Sequence, residues 1–122
     1  MANVAEIMTW TFEEETAPPN EVLDVLIPGE EIEVAYKTIR DVAVVTNKRI
    51  IIADRQGLTG KKVEVYTIPF KSIVMYSSEN AGGRFDFNTE IELWTHAGRM
   101  KLNLKKGVDI RKLDRLIGQH IL

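Results

Sequence analysis

From Glu30 onward, apolar and polar residues alternate with a period of two. In the first run, residues 30–37, Ile32, Val34 and Tyr36 alternate with Glu31, Glu33 and Lys37. Six further runs are marked by Val42, Val44, Ile50, Ile52, Val63, Val65, Ile73, Ile91, Leu93, Met100, Leu102 and Leu104. Alternation of this kind is typical of strands that bury one face, and short turns between such runs indicate antiparallel neighbours. The pattern predicts a mainly β fold of seven antiparallel strands.

A single amphipathic helix is predicted after the last strand. Gly107 ends the sheet, and Asp109 is a good residue to cap the start of a helix. The apolar residues of that segment fall on one stripe, which consists of Ile110, Leu113, Leu116, Ile117 and Ile121. Because such a stripe must cover something apolar, we expect the helix to cap the open end of a β-barrel.

The first 28 residues follow a different pattern. Met8, Trp10 and Phe12 alternate with polar residues, which is a weak strand signal, before three glutamates and a Pro-Pro pair interrupt it. Asn20 is a fair N-cap for a short helix that ends at a Pro-Gly pair. We therefore divide the chain into an acidic and apolar N-terminal arm with a short helix, residues 1–28, and a domain, residues 29–122.

The large apolar side chains of the arm leave two interpretations open. Trp10 and Phe12, with Met8, either dock on a neighbouring subunit or partner, or pack on the barrel wall of their own chain. An incompletely closed barrel would also leave strand edges that can pair with another chain. Both features point towards association.

Charge is distributed unevenly along the 122 residues. The net charge is −2, but residues 1–36 contain nine acids and no lysine or arginine. Residues 37–122 hold all 16 basic residues against nine acids. The acidic segment either lies against a basic body, its own or a neighbour's, or shields that body from nucleic acid, or it is simply solvated.

Several classes of protein are disfavoured. There is no cysteine, no apolar stretch of the length that a membrane span needs, and no signal-peptide pattern at the start, so we expect a cytoplasmic protein. His96 and His120 lack the spacing of a metal site and are expected to be partnerless surface residues, and Glu90 and Glu92, near Asp86, look solvated. No catalytic, cofactor or metal site is predicted.

Five short segments resemble the bacterial pleckstrin-homology family. They are residues 36–41 (YKTIRD), 46–50 (TNKRI), 56–62 (QGLTGKK), 68–73 (IPFKSI) and 79–82 (ENAG). The resemblance covers about residues 29–104, with the last helix in the expected place. It implies a pleckstrin-like split barrel, assembly into symmetric rings that are often pentamers, and no catalytic activity. Residues 56–62 could suggest a phosphate loop, but they lack the required spacing and precede a strand.

Eukaryotic relatives of this fold hold phosphoinositides in a basic loop between the first two strands. Here the corresponding connection has Lys37 and Arg40 with Asp41 directly after, which is too short and too weakly basic to surround an inositol phosphate. Membrane lipid is therefore a disfavoured partner, and so is nucleic acid, because the basic residues are spread over the whole domain.

The sequence predicts a non-enzymatic protein-interaction or scaffolding module that forms a homo-oligomeric ring and has a further, unidentified protein partner. The alternative is a peripheral membrane adaptor that binds anionic lipid headgroups. The candidate association surface consists of Met8, Trp10, Phe12, Tyr36, Arg40, Asp41, Lys48 and Arg49. The members near the strand ends could equally be turn residues with local ion pairs.

Overall fold

The computed structural model describes residues 8–56, 62–79 and 88–122. Within these ranges the strands are β1 (Met8–Phe12), β2 (Glu14–Glu15), β3 (Ile32–Lys37), β4 (Val42–Thr46), β5 (Arg49–Gln56), β6 (Lys62–Pro69), β7 (Ile73–Glu79), β8 (Asn88–Thr95) and β9 (Arg99–Lys105). The helices are α1 (Asn20–Leu23) and α2 (Ile110–Ile121), and a 3-10 turn at Phe70–Ser72 joins β6 to β7. Asp86 and residues 57–61 lie outside the described residues.

The strands form two sheets. One has the order β2-β3-β4-β5-β6 and is antiparallel throughout, and the other has the order β1-β9-β8-β7. In the second sheet β7, β8 and β9 are antiparallel neighbours. The seven predicted strands correspond to β3–β9, and the predicted final helix is α2, so the mainly β barrel with a C-terminal helix is confirmed.

The arm contributes strands of its own. β1 pairs in parallel with β9, so that Trp10 lies opposite Leu102 and Phe12 opposite Leu104. β2 pairs with β3 and extends the five-stranded sheet. The weak strand signal at residues 8–12 therefore marks a real strand, although the seven-stranded antiparallel prediction did not include it. The division of the chain at residue 28 stays a prediction.

The main core lies between the two sheets and α2. Leu113 and Ile117 of the helix are fully buried against side chains from both sheets, as the apolar stripe predicts. The carboxylate of Asp109 accepts hydrogen bonds from the backbone N–H groups of Arg111 and Lys112, both at 3.1 Å. This satisfies two of the otherwise unpaired N–H groups at the start of α2.

A second apolar cluster covers the outer face of the five-stranded sheet. Val44 and Ile51 are fully buried there, beneath Val22 of α1 and Leu26. The neighbouring Ala43 faces the main core, so β4 is buried on both faces and its apolar residues are continuous rather than alternating. Asn20 is the first residue of α1 and not its N-cap as predicted; Pro19 holds that position.

Candidate interaction surface

The aromatic members of the predicted association surface lie inside the barrel. Phe12 and Tyr36 are fully buried and stack with ring centroids 4.9 Å apart and planes at 13°. Trp10 is 8% exposed, and Met8 packs partly buried against the same core. Of the two interpretations of the arm, the structure therefore shows packing on the chain's own barrel. The association role stays a prediction that depends on the members that reach solvent.

The connection between β3 and β4 is a tight turn. The Thr38 side chain closes it, because its Oγ1 accepts a hydrogen bond from the Asp41 backbone N–H at 2.9 Å and donates to the Asp41 carbonyl at 3.1 Å. Ile39 and Arg40 project into solvent at the tip. A shallow cleft of about 240 Å³ separates this turn from β1. Of the predicted surface, Arg40 is one of the exposed residues.

Arg49 is held in a buried ion pair with Glu30. Its Nε lies 2.8 Å from Glu30 Oε2, and its Nη2 lies 2.9 Å from Oε1, an arrangement that uses both oxygens of the carboxylate. The Arg49 side chain is 15% exposed and the Glu30 side chain is 0% exposed. Arg49 also donates to the Val25 carbonyl at 2.8 Å and to Thr67 Oγ1 at 3.0 Å. This arginine ties the arm to β5 and β6.

The Glu30 carboxylate receives two further hydrogen bonds. The Thr46 hydroxyl donates at 2.6 Å and the Ile27 backbone N–H at 3.1 Å. The hydrogen bond from Arg49 lowers the pKa of Glu30 to about 2, against the opposing effect of burial, with help from Thr46 and Ile27. The carboxylate in turn raises the pKa of Arg49. Sequence reasoning selected Arg49 but missed Glu30, which looks like any of the neighbouring glutamates.

A groove opens at the end of the barrel where β4 meets β5 and β6 meets β7. We call it the basal groove; its rim carries Asn47, Lys48 and Lys71, and its floor Ile27, Pro69 and Phe70. Arg49, Thr67 and His120 complete the lining, which encloses about 380 Å³. Of the described residues, nine line this groove and none of them is acidic. The groove therefore combines an apolar floor with a cationic rim.

His120 does not stand alone on the surface as predicted. Its Nε2 lies 2.7 Å from Glu33 Oε2, and its ring stacks on Phe70 with centroids 5.4 Å apart. The reason is that α2 ends beside β3 and the 3-10 turn, which brings residues far apart in sequence into contact. The prediction for His120 is wrong, whereas His96 is exposed in its turn.

Glu90 and Glu92 are less solvated than predicted. Both lie on β8 opposite β9, where Arg99 Nη1 approaches Glu92 Oε2 to 3.3 Å and Lys101 Nζ approaches Glu90 Oε2 to 3.8 Å. The Glu92 side chain is half-buried. These are cross-strand ion pairs, which stabilise a sheet.

The acidic segment lies against the basic part of the same chain. Glu13 pairs with Lys105 at 3.2 Å, and Glu15 pairs with Lys112 at 3.1 Å. With the Glu30–Arg49 and Glu33–His120 contacts, four acids of residues 1–36 meet basic partners from residues 37–122. Of the alternatives given for the uneven charge, these contacts show the one in which the acidic segment lies against basic residues of its own chain.

In the described part of the chain each sheet has two outermost strands with a single neighbour: β1 and β7 in one sheet, β2 and β6 in the other. β1 and β2 follow each other along the chain, whereas β6 pairs only with β5 and β7 pairs only with β8. On β7 the side chains of Val74 and Met75 are 62% and 54% exposed, next to a register shift between Ile73 and Met75. The barrel is thus split between β6 and β7, and we call the exposed strand β7 the open edge.

The bacterial PH domain family model matches residues 3–121, nearly the whole chain. This chain belongs to the bacterial PH domain family. The match includes the arm, which the resemblance noted in the sequence did not cover. β1 and β2, which lie in the arm, are strands of the two sheets.

Two curated relatives come from Bacillus subtilis (strain 168), and both are uncharacterized proteins. YjqA is 43% identical over 94 residues, which are 77% of this chain and 70% of YjqA. YozO is 34% identical over 96 residues, which are 79% of this chain and 82% of YozO. Both matches span most of this chain and most of the relative.

Solved bacterial PH domains have the same architecture. A DUF1696 family protein with a pleckstrin-homology domain from Shewanella loihica PV-4 is 35% identical, with a TM-score of 0.79 over 89% of this chain and 97% of that one. A pleckstrin homology domain from Shewanella amazonensis SB2B is 39% identical, with a TM-score of 0.66 over 84% of each chain.

Two features are absent from the described residues of this bacterial PH domain. None of its helices there is long and apolar enough to cross a membrane. Across the same ranges, histidine and carboxylate side chains do not gather in groups of three that could hold a metal ion.

Proposed function

We propose that this bacterial PH domain is a non-enzymatic, cytoplasmic interaction module whose copies assemble into a homo-oligomeric ring, which then binds a further protein. The observation that carries the proposal is the open edge. A strand with one neighbour presents a row of backbone N–H and C=O groups on its other side, and these can pair with a strand of a second chain.

The composition of β7 supports this role. Edge strands that avoid other chains usually carry lysine or proline, whereas β7 (IVMYSSE) has neither and exposes Val74 and Met75 instead. One of the two outermost strands of the other sheet, β6, offers a different surface. Pairing of β7 in one copy with β6 in the next would be head-to-tail, and head-to-tail contacts that close produce a ring.

The experiment is the mass of the protein in solution, by light scattering coupled to size exclusion at micromolar concentration. We expect a mass several times 13.9 kDa for the natural chain. The double change V74K/M75K places two charges on the open edge and should reduce the mass to that of one chain. The matched control is L23K, which adds a charge at a similarly exposed apolar residue on α1 and should keep the natural mass.

Two outcomes would overturn the ring: a natural chain that runs as a monomer, or a V74K/M75K variant that keeps the full mass. Circular dichroism and a thermal melt on every variant show whether a change in mass reflects lost assembly or lost folding.

A peripheral membrane adaptor is the second candidate, and one observation favours it. Ile39 is 76% exposed at the tip of the turn between β3 and β4, beside Arg40. Against it, Asp41 follows directly and the tip offers few cations for a lipid headgroup. Sedimentation with neutral and with anionic vesicles decides between the interaction module and the membrane adaptor. We expect equal, low binding to both, and strong binding to anionic vesicles that I39E abolishes would favour the adaptor.

A further inference from the structure

The basal groove lies at the end of β4 that is remote from the turn between β3 and β4, and it borders the start of the open edge at Ile73. Its volume of about 380 Å³ is at the lower end of the range for ligand pockets in proteins, which suits one or two side chains of a partner and not a large molecule. Its floor of Ile27, Pro69 and Phe70 is apolar. The groove is concave, so it fits a projecting segment better than a flat surface.

The charges around the groove are not equally available. Arg49 is neutralised by Glu30, and His120 contacts Glu33. Lys48 and Lys71 are exposed on the rim, and within the described residues neither one has an acidic partner. The free charge of the groove is therefore two lysines, in a chain whose acids outnumber its basic residues.

The walls of the groove are fixed before any ligand arrives. The Asn47 side chain accepts from the Glu31 backbone N–H at 2.9 Å and donates to the Gly29 carbonyl at 3.1 Å. The Phe70 N–H donates to the Lys48 carbonyl at 3.0 Å, which joins the turn before β5 to the 3-10 turn. A preformed groove costs less ordering entropy on binding.

We propose that the basal groove binds an acidic peptide segment of a partner protein, in which carboxylates flank an apolar side chain. The carboxylates pair with Lys48 and Lys71, and the apolar side chain packs on Ile27, which is 51% exposed, and on Pro69. This inference rests on the proposed function as an interaction module, and it assigns a site and a chemistry to the partner.

Other anionic partners fit the groove less well. A nucleic acid is bound through many phosphate contacts, and two free lysines supply few of them. One face of the Phe70 ring is already stacked on His120, which leaves little aromatic surface for a base. A membrane is flat on this scale and cannot enter a concave site.

The test selects random heptapeptides displayed on phage against the full chain, the double variant K48Q/K71Q and the control K62Q/K106Q. The control removes two exposed lysines that lie outside the groove. On the natural chain and the control we expect enriched peptides with Asp or Glu beside an aliphatic or aromatic residue. Synthetic peptides of the enriched sequence should bind K48Q/K71Q about tenfold more weakly, the cost of losing charge-assisted contacts.

Absence of any enriched sequence, an enriched sequence without acids, or equal binding to both double variants would overturn the proposal. So would anionic vesicles that bind through Lys48 and Lys71, which would make the occupant a membrane. A K48Q/K71Q variant with a smaller mass in solution would also overturn it, since a second copy would then occupy the groove. If the natural chain is monomeric but still selects acidic peptides, the proposed ring is wrong and the proposed peptide site stands.

Discussion

At the scale of single residues, the Glu30–Arg49 pair is the most consequential contact. A charged carboxylate that is removed from water is costly, and it is tolerated only when its partners satisfy it. Glu30 receives hydrogen bonds from the Ile27 backbone in the arm, from Thr46 in β4 and from Arg49 in β5, so its carboxylate joins the end of the arm to both strands. Disturbing this carboxylate should therefore loosen the arm and not only one side chain.

We predict that E30Q lowers the free energy of unfolding by about 3 kcal/mol, because the change leaves the Arg49 guanidinium largely buried without a counter-charge. The glutamine of E30Q keeps the shape of the glutamate side chain and the hydrogen bond from Thr46. Urea unfolding followed by circular dichroism measures the loss. The matched control is E31Q at the adjacent exposed residue, which should change stability by less than about 0.5 kcal/mol. Equal effects of the two changes would contradict the prediction.

The same carboxylate predicts a dependence on pH. The pKa of Glu30 is lowered from 4.5 to about 2 in the folded chain. At pH values between these two numbers, the unfolded chain therefore binds more protons than the folded chain. The stabilisation, about 3 kcal/mol, is complete above pH 5 and is lost as the pH falls towards 2. The difference in unfolding free energy between the natural chain and E30Q should shrink over that interval. A constant difference between pH 7 and pH 2.5 would show that Glu30 does not titrate as described.

Residue-level features were the least predictable from sequence. Glu30, Glu31 and Glu33 have the same chemistry within four positions, yet only Glu30 is buried with an arginine. Its partners Thr46 and Arg49 lie 16 and 19 residues away, on either side of the turn between β4 and β5. The Pro-Gly pair before Glu30 was a possible signal, because that turn directs the carboxylate back towards the sheet.

At the scale of elements, β1 is a structural strand of the barrel and not a loose arm. We predict that F12A lowers the free energy of unfolding by about 4 kcal/mol, because Phe12 is fully buried and stacks on Tyr36. Urea unfolding measures it. T9A, on the exposed side of the same strand, should cost less than about 0.5 kcal/mol. If F12A unfolds like T9A, then β1 does not contribute to the core.

Elements whose neighbours are close in sequence were predicted well, and the others were not. The antiparallel strands β3 to β9 and the helix α2 each show a local period in the sequence and a short connection to the next element. β1 pairs in parallel with β9, about ninety positions away, and no local pattern records such a partner. The sequence pattern predicted that β4 buries one face only. It does not show that α1 packs on the other face of β4 and buries that face as well.

At the scale of the whole molecule, the unequal distribution of charge leads to ion pairs between acids early in the chain and basic residues late in it. Glu13 and Lys105 form an ion pair across 92 positions, between the arm and the end of β9. We predict that E13K and K105E each destabilise the protein, and that the double variant recovers part of the loss. The expected coupling in a double-mutant cycle is about 0.5 kcal/mol, since the pair is largely exposed. Strictly additive effects would mean that the contact contributes nothing.

The parallel pairing of β1 with β9 also has a consequence for biosynthesis. Trp10 and Phe12 are synthesised about ninety residues before Leu102 and Leu104 of β9, which lie opposite them. The hairpins of the five-stranded sheet can form meanwhile, whereas the four-stranded sheet is complete only after β9 has left the ribosome. Until then the nascent polypeptide carries an apolar segment whose partner strand does not yet exist, and such a segment is a site that a chaperone can bind.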